Sequence, residues 1–297
     1  MSYPFLSDVV RDWTGYDVPL PLATFGLFVA LGAVVAGACF HAELSRLYAA
    51  RKIRGAWVDG AEVPPQQVVG DFMVVVMIAG VVGARLFHIL EHTSQFMADP
   101  MSMIFTRSGL SIFGGLIVGT IAGMVCVRRW RLPVRPLLDA AAPAMMIGYA
   151  IGRIGCQVSG DGDWGTVANM ALKPGWLPTW FWAQTYDNNI FGELIAAPGV
   201  YPAPIYETAM AALCFLVLWA LRRHPFRTGW LFSVYLILAG AERLLIEQIR
   251  VNPVLDFLGV RATQAELIAV VLIVLGLVGA VLLGQRQAAD GKQLKPG

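Results

Sequence analysis

Charged residues are scarce in this chain. Of its 297 residues, 14% are charged and 57% are hydrophobic, which is more apolar surface than a soluble fold of this length buries. The composition therefore excludes a soluble enzyme or binding domain, and we expect an integral membrane protein. The formal net charge of +2 is too small to indicate a nucleic-acid partner, and the arginines occur in small clusters between apolar runs.

Cysteine is sparse too. The four cysteines lie within or at the ends of apolar segments and have no metal-type spacing: Cys39, Cys126, Cys156 and Cys214. We therefore expect no disulfide framework, no zinc or other metal site and no cofactor. The N-terminal region lacks a basic stretch followed by a small-residue cleavage pattern, so no cleaved signal peptide is predicted.

Long apolar runs recur along the sequence. Roughly 20 apolar residues are needed to cross the hydrocarbon core of a bilayer, and this criterion predicts seven transmembrane helices. The predicted spans are Leu20–Phe40, Val68–Leu90, Leu110–Val127, Leu137–Cys156, Ile205–Leu221, Gly229–Ile249 and Ala265–Leu283. The predicted fold class is thus all-α and polytopic, with residues 1–297 forming a single integral membrane domain.

Lysine and arginine concentrate in the first, third and fifth connections and in the C-terminal tail. Because cytoplasmic loops retain positive charge, this bias places the N-terminus outside and the C-terminus in the cytoplasm. The fourth connection, residues 157–203, is then extracytoplasmic and lies between helices 4 and 5. Its tryptophans favour the membrane interface, so we expect a small extracytoplasmic cap rather than a disordered loop.

In this topology the charged residues of the apolar segments converge on one side of the membrane. Arg153 ends the fourth span and is followed by Asp161 and Asp163 in a glycine-rich turn, while Glu207 begins the fifth span. The second and sixth spans deliver further polar residues to the same level: Arg85, His88, Glu91, Glu242, Arg243, Glu247 and Arg250. An ionisable group at membrane depth is costly unless it is paired or hydrated. The one-sided pattern favours a shared polar cavity over scattered salt bridges or a single arginine that snorkels to the headgroups.

Two arginines at one membrane depth suit a phosphate. The planar guanidinium groups of Arg153 and Arg243 each offer paired hydrogen bonds to phosphoryl oxygens, and a lipid phosphate is the natural ligand. Four carboxylates are available to fix these arginines or to accept a proton: Asp161, Asp163, Glu207 and Glu247. An alternative is nucleophilic catalysis by Cys156, three residues after Arg153.

Small residues recur at helix-packing spacing in the third and fourth spans. Gly114 and Gly115 stand at the outer end of the third span. We expect Gly115 to pack against another helix, and Gly114 together with Gly115 to let the backbone approach a lipid headgroup closely.

Four stretches, in order and over nearly the whole chain, resemble the prolipoprotein diacylglyceryl transferases. Residues 108–116, SGLSIFGGL, are similar to the family's G-G-x-S-x-H-G-G-L, and residues 152–155, GRIG, to the opening of G-R-x-G-N-F-x-N-x-E-x-x-G. Residues 201–207, YPAPIYE, resemble H-P-x-x-L-Y-E, and residues 242–250, ERLLIEQIR, contain R-x-x-x-E-x-x-R. The resemblance implies a bacterial inner-membrane enzyme with seven transmembrane helices. It would transfer diacylglyceryl from phosphatidylglycerol to the lipobox cysteine of a prolipoprotein, forming a thioether and releasing glycerol phosphate.

The resemblance implies that Arg153 and Arg243 hold the lipid phosphate, within a polar network of Glu207, Glu247 and Arg250. The chain also departs from the family pattern. Phe113 replaces a histidine or tyrosine, Cys156 replaces an asparagine, and the turn is one residue longer, so Asp161 or Asp163 stands for the family glutamate.

The resulting hypothesis has Arg153 and Arg243 stabilising the leaving phosphate while the acceptor cysteine attacks the adjacent glyceryl carbon. Phe113 cannot transfer a proton, so Asp161, Asp163 or His88 accepts it. Gly114, Gly115, Phe113 and Cys156 are expected to line the lipid site. Two alternatives remain open: a divergent paralogue that modifies another acceptor, and a lipid-binding protein without enzymatic activity.

Overall fold

The structure is a computed structural model that describes residues 2–20, 22–105, 111–257 and 260–285. Over these residues the chain is mostly helical, as the apolar runs predict. The elements, in chain order, are α1 (Leu6–Thr14), α2 (Thr24–Ala49), β1 (Ala56–Val58), β2 (Ala61–Val63), α3 (Val69–Glu91), α4 (Thr93–Ala98), α5 (Pro100–Phe105), α6 (Ile112–Arg129), α7 (Val134–Ser159), α8 (Thr179–Trp182), α9 (Ala203–Leu221), α10 (Trp230–Glu247), β3 (Val254–Phe257), β4 (Val260–Thr263) and α11 (Gln264–Leu283).

Within the described residues, six helical segments are long and apolar enough to cross a membrane. They are α2, α3 with the preceding 3-10 turn, α6, α7, α9 and α11. The remaining predicted span forms α10, whose 18 residues include Glu242, Arg243 and Glu247. The protein is therefore a multi-pass membrane protein. The count of seven spans and the outside placement of the N-terminus stay predictions.

The helix ends differ most from the prediction in α2. This helix begins at Thr24 and continues to Ala49, whereas hydropathy alone predicted an end at Phe40. The extra turns are polar, and the Arg46 guanidinium pairs with the Glu43 carboxylate at 2.7 Å, three residues earlier on the helix. Hydropathy marks where the apolar run ends, but such i, i+3 pairs let the helix continue beyond it.

Two short antiparallel hairpins, which were not predicted, interrupt the helices: β1 with β2, and β3 with β4. The first turns at Asp59 and Gly60, both with positive φ. This is the Asp-Gly signature of a two-residue hairpin turn. The backbone N–H of Trp57 donates to the Trp130 carbonyl at 2.9 Å, which ties this hairpin to the end of α6.

The chain packs as two compact units, residues 1–39 with 138–297 and residues 40–137. In the first unit, a buried core joins α7, α9 and α10 through Met146, Ala150, Ala211, Leu218 and Leu231. The start of α10 is fixed to α7 by the buried Asp139 carboxylate, which accepts hydrogen bonds from the backbone N–H groups of Gly229 at 2.6 Å and Phe232 at 2.9 Å. A carboxylate at a helix N-terminus satisfies backbone donors that the helix leaves unpaired.

The second unit contains the close packing of α3 against α6. A Cβ atom on Gly83 would collide with the backbone of Gly114, and one on Gly114 would collide with Gly83 and Phe87. Gly115 faces Gly80 in the same way, with more room. The packing expectation for Gly115 is thus met, and Gly114 packs more tightly still, which was not predicted. An approach of these glycines to a lipid headgroup stays a prediction.

Replacing Gly114 by alanine should lower the free energy of unfolding by about 1–3 kcal/mol, because the added methyl group overpacks a backbone contact. The matched control is Gly70→Ala on α3, where an added Cβ meets nothing within 4 Å. Both variants gain the same helix propensity, so the difference between them isolates the collision. Thermal unfolding of the purified protein in detergent measures it, and equal midpoints for the two variants would refute the packing assignment.

Candidate functional site

Arg153 lies in α7, six residues before its end at Ser159, and pairs with Glu207 at the start of α9. Its Nε lies 2.9 Å from Glu207 Oε2, and its Nη2 donates to Oε1 at 3.1 Å. The Tyr149 hydroxyl, one turn earlier on α7, donates to Glu207 Oε1 at 3.2 Å and lies 3.1 Å from Arg153 Nε. Arg153 is therefore held in one orientation by two neighbouring helices.

Glu207 is the centre of the site. Its side chain is 0% exposed, and three guanidinium groups surround it. Besides Arg153, Arg243 Nη1 lies 3.7 Å and Arg250 Nη1 lies 3.8 Å from Glu207 Oε1. A carboxylate in the interior needs such partners, because removing its charge from water costs several kcal/mol. The predicted meeting of Arg153 and Arg243, from separate helices, thus takes place around Glu207.

Asp163 bridges two of these arginines. One carboxylate oxygen contacts Arg153 Nη1, and the other accepts from Arg250 Nη2 at 2.8 Å. Burial opposes ionisation of Asp163, but the guanidinium groups of Arg153 and Arg250 outweigh it and hold the pKa of this carboxyl below its ordinary value. The two guanidinium groups therefore favour the ionised form of Asp163, which bridges them.

Arg243 is the most accessible arginine of the cluster. Its side chain is 27% exposed, against 13% for Arg153 and Arg250. One turn further along α10, the buried Glu247 carboxylate lies 2.8 Å from Arg243 Nη2 and accepts from Asn252 Nδ2 at 2.7 Å. Glu247 thus orients Arg243 while leaving part of the guanidinium group open to a ligand.

Asp161 occupies a different position from Asp163. The Cys156 sulfur and one carboxylate oxygen from each of Asp161 and Asp163 lie within 4.8 Å of one another, and Arg153 Nη1 lies 3.6 Å from the same sulfur. Burial raises the pKa of the Asp161 carboxyl above its ordinary value, although a hydrogen bond with Cys156 acts in the other direction. Asp161 is thus the carboxylate of this turn that takes up a proton most easily.

Local backbone geometry explains why two aspartates only two positions apart have different surroundings. Gly160 and Gly162 flank Asp161, and both have positive φ, a conformation that glycine adopts without a steric penalty. Beyond the turn, the Thr166 N–H donates to the Ile249 carbonyl at 2.6 Å. This bond fixes the cap against the segment after α10 and brings Arg250 to Asp163.

Sequence reasoning missed two members of the site. Tyr149 was not singled out, although it lies four residues before Arg153 on the same helix face, which was the available signal. Gln157 was also missed. It accepts from the Tyr186 hydroxyl at 2.7 Å and donates to Gln184 Oε1 at 2.7 Å, linking the end of α7 to the cap.

The predicted site residues fall into two groups. The structure brings together Arg153, Cys156, Asp161, Asp163, Glu207, Arg243, Glu247 and Arg250 within the first unit. The others belong to the second unit, where their part in a lipid site stays a prediction: His88, Phe113, Gly114 and Gly115. Residues 108–110 of the family-like stretch lie outside the described residues.

Comparison with known proteins identifies the same family as the motifs. The family model for prolipoprotein diacylglyceryl transferase matches residues 16–282. Relatives named phosphatidylglycerol–prolipoprotein diacylglyceryl transferase include one from Halalkalibacterium halodurans, 28% identical over 92% of this chain and 85% of the relative. Another, from Shouchella clausii, is 30% identical over 71% of this chain and 73% of the relative, and one from Leptospira interrogans is 29% identical over 84% and 77%.

The family match covers most of the chain and includes every arginine and carboxylate of the cluster around Glu207. The relatives align with most of the chain and most of their own length. The chain therefore belongs to the prolipoprotein diacylglyceryl transferase family.

Proposed function

We propose that this protein transfers a diacylglyceryl group from phosphatidylglycerol to the lipobox cysteine of prolipoproteins, the first step of lipoprotein maturation. The observation that carries the proposal is the convergence of Arg153, Arg243 and Arg250 around the buried Glu207. The names of the relatives give the lipid and the acceptor. The positive charge of alternate loops supports a site on the extracytoplasmic side of a bacterial inner membrane.

The guanidinium cluster suits a lipid phosphate for a geometric reason. Each guanidinium presents five N–H donors in a planar fork, and the carboxylates of Glu207, Glu247 and Asp163 hold these forks in fixed orientations. The most accessible, Arg243, receives the phosphate first, and Arg153 contributes from the deeper side. Because the donors are oriented before the ligand arrives, little reorganisation is needed as charge develops on the phosphate.

The reaction exchanges one bond at the carbon of the diacylated glycerol that is esterified to the phosphate. The acceptor thiolate attacks this carbon and forms a carbon–sulfur bond, while the carbon–oxygen bond to the phosphate breaks. The electron pair of that bond moves to the phosphate oxygen, so glycerol phosphate leaves with one additional negative charge. Arg153 and Arg243 stabilise that charge, which develops only along the reaction path.

The thiol proton must leave the acceptor cysteine before or during attack. An ordinary thiol has a pKa of about 8.5, so only a few per cent is thiolate near neutrality. Asp161 is the better base of the two aspartates, because Asp163 is committed to Arg153 and Arg250. The raised pKa of Asp161 also brings it closer to the working pH, where proton transfer is most efficient.

Replacing Asp161 by asparagine should lower the rate of transfer about 10²-fold, which is the lower end of what a general base contributes. We expect the lower end because the positive charge of the arginines still favours the thiolate form of the acceptor cysteine. In the wild type, the rate should fall as the pH drops through the raised pKa of Asp161, because protonation removes the base. The variant should lack this acidic fall. The matched control is Asp187→Asn, an exposed aspartate of the same cap. An unchanged acidic fall in the Asp161 variant would exclude this role.

A transfer assay tests the proposed function itself. The purified protein is incubated with phosphatidylglycerol vesicles and a lipobox peptide, and mass spectrometry follows the peptide while glycerol phosphate is quantified. We expect the cysteine to gain one diacylglyceryl group for each glycerol phosphate released. Binding of phosphatidylglycerol without consumption would favour a lipid-binding protein. Consumption without modification of the peptide would favour a paralogue with another acceptor.

A further inference from the structure

A cluster of possible metal ligands lies in the second unit, at the end of α3. His88 is in the last turn of this helix, Glu91 is its final residue, and His92 caps it. One ligand atom from each of the three side chains lies within 4.8 Å of the other two. The imidazole ring centroids of His88 and His92 are 4.5 Å apart. The spacing explains why Glu91 and His92 both lie near His88, because residues three and four positions apart share one face of a helix.

The backbone fixes the tautomer of His92. Its Nδ1 lies 3.1 Å from the His88 carbonyl oxygen. A carbonyl oxygen only accepts hydrogen bonds, so Nδ1 carries the proton and donates it. The lone pair of the neutral ring is then on Nε2. Histidines that bind metals usually donate their other ring N–H to a backbone carbonyl or a carboxylate in this way.

The Glu91 carboxylate is also held by a hydrogen bond on its outer side. Its Oε1 accepts a hydrogen bond from the Ser111 hydroxyl at 2.7 Å, and the buried Ser111 precedes the first residue of α6. This bond restrains the carboxylate without occupying its second oxygen. Hydrogen bonds to the outer side of metal ligands orient them and raise their affinity. Two of the three candidate ligands therefore have such a partner.

A positive charge near the cluster would oppose a bound cation. The nearest on α3 is Arg85, three residues before His88, and its Nη1 donates to the Met103 carbonyl at 3.3 Å. The guanidinium group is thus directed towards α5 and its charge is in contact with a carbonyl oxygen. The cluster itself contributes one carboxylate, which offsets part of the charge of a divalent ion.

We propose that His88, Glu91 and His92 form a binding site for a divalent transition-metal ion. Two imidazoles and one carboxylate suit Zn²⁺, Co²⁺, Ni²⁺ or Cu²⁺, whereas Mg²⁺ and Ca²⁺ prefer oxygen ligands. Three ligands leave a fourth position for water. Tetrahedral zinc ligands at 2.0–2.2 Å from the ion lie about 3.3 Å apart, so the proposal requires the three ligand atoms, which lie within 4.8 Å of one another, to adopt this spacing when the ion binds.

This site does not depend on the proposed transfer reaction. The cysteine spacing predicted no zinc site, and cysteine takes no part in this one. The signal was instead the spacing His88-Ile-Leu-Glu-His92, which places three ligands on one helix end. Since the chain has four histidines, the other two provide controls.

Metal titration of the full-length protein, purified in detergent without a polyhistidine tag, tests the site. After chelator treatment, Co²⁺ is added and the visible absorption of the bound ion is followed, with Zn²⁺ as competitor. We expect one ion per chain and displacement by one equivalent of Zn²⁺. His88→Ala and His92→Ala should each lose this stoichiometric binding, whereas His41→Ala should retain it. Ser111→Ala should bind about 10-fold more weakly, because Glu91 loses its restraint.

The wild-type protein also gives a readout that needs no variant. X-ray absorption of the Zn²⁺-loaded protein should show two imidazole ligands together with oxygen ligands. Failure of the wild type to bind an equimolar ion would overturn the proposal. So would unchanged Co²⁺ binding in a folded His88→Ala, His92→Ala double variant, or a zinc spectrum with sulfur ligands.

Discussion

An Arg153→Ala variant should lose diacylglyceryl transfer by about 10³-fold or more, because Arg153 supplies deep hydrogen-bond donors to the phosphate on which charge develops. The variant should still fold. Glu207 keeps Arg243 and Arg250 as partners at 3.7 and 3.8 Å, and Asp163 keeps Arg250 at 2.8 Å. The transfer assay measures the loss, and thermal unfolding in detergent verifies the fold.

Two further variants make this result specific. Arg153→Lys keeps the charge but replaces the planar fork by a point charge, so transfer should recover only partly. Arg223→Ala removes an exposed arginine outside the cluster and should transfer at the wild-type rate. An Arg153→Ala protein that transfers as fast as the wild type would exclude Arg153 from the reaction.

A Glu207→Ala variant should be the most unstable single substitution in the site. It leaves the guanidinium groups of Arg153, Arg243 and Arg250 around a cavity without the carboxylate they share. Breaking a buried ion pair by removing one partner costs about 3–5 kcal/mol, and like charges at this distance add to the cost. The thermal unfolding midpoint of the purified protein should fall strongly, and less protein should be recovered from membranes.

Two further variants serve as controls for Glu207→Ala, one of similar side-chain shape and one at an exposed position. Glu207→Gln keeps the volume and one carbonyl acceptor, so it should be destabilised less than the alanine variant. Glu193→Ala changes an exposed glutamate of the cap and should unfold like the wild type. A Glu207→Ala protein with an unchanged unfolding midpoint would mean that the three arginines do not require this carboxylate.

Much of this site was accessible from the sequence, because polar residues in apolar runs are conspicuous. Arg153, Glu207 and Arg243 each interrupt or border such a run, and a common depth follows from alternating helix directions. Which carboxylate pairs with these arginines could not be predicted from the sequence. Glu207 rather than either aspartate became the shared partner because the start of α9 lies against α7 and α10, which is a property of tertiary packing.

The division of roles between Asp161 and Asp163 shows the same limit more locally. Both follow α7 in one glycine-rich turn, and the sequence left open which one replaces the family glutamate. The left-handed backbone of Gly160 and Gly162 places them differently, so that Asp163 contacts two arginines and Asp161 faces Cys156. Hydropathy and residue type carry no information about that choice.

Helix existence was predicted better than helix ends or connections. The apolar runs located α3, α6, α7, α9 and α11 to within a few residues, because a helix that crosses the hydrocarbon core needs an apolar stretch of about 20 residues. The hairpin at Ala56–Val63 was missed, although Asp59-Gly60 is its turn signal. Its strands are too short and too polar to be detected by a search for long apolar runs.

The proposed transfer reaction requires the guanidinium cluster to bind a lipid phosphate. A structure of the protein with bound phosphatidylglycerol, determined by cryo-electron microscopy, tests this most directly. We expect phosphate oxygens within about 2.7–3.2 Å of the Arg243 and Arg153 guanidinium nitrogens, with the glyceryl carbon on the side of Asp161. A headgroup bound elsewhere, with both arginines in contact only with carboxylates, would contradict the proposed role of Arg153 and Arg243.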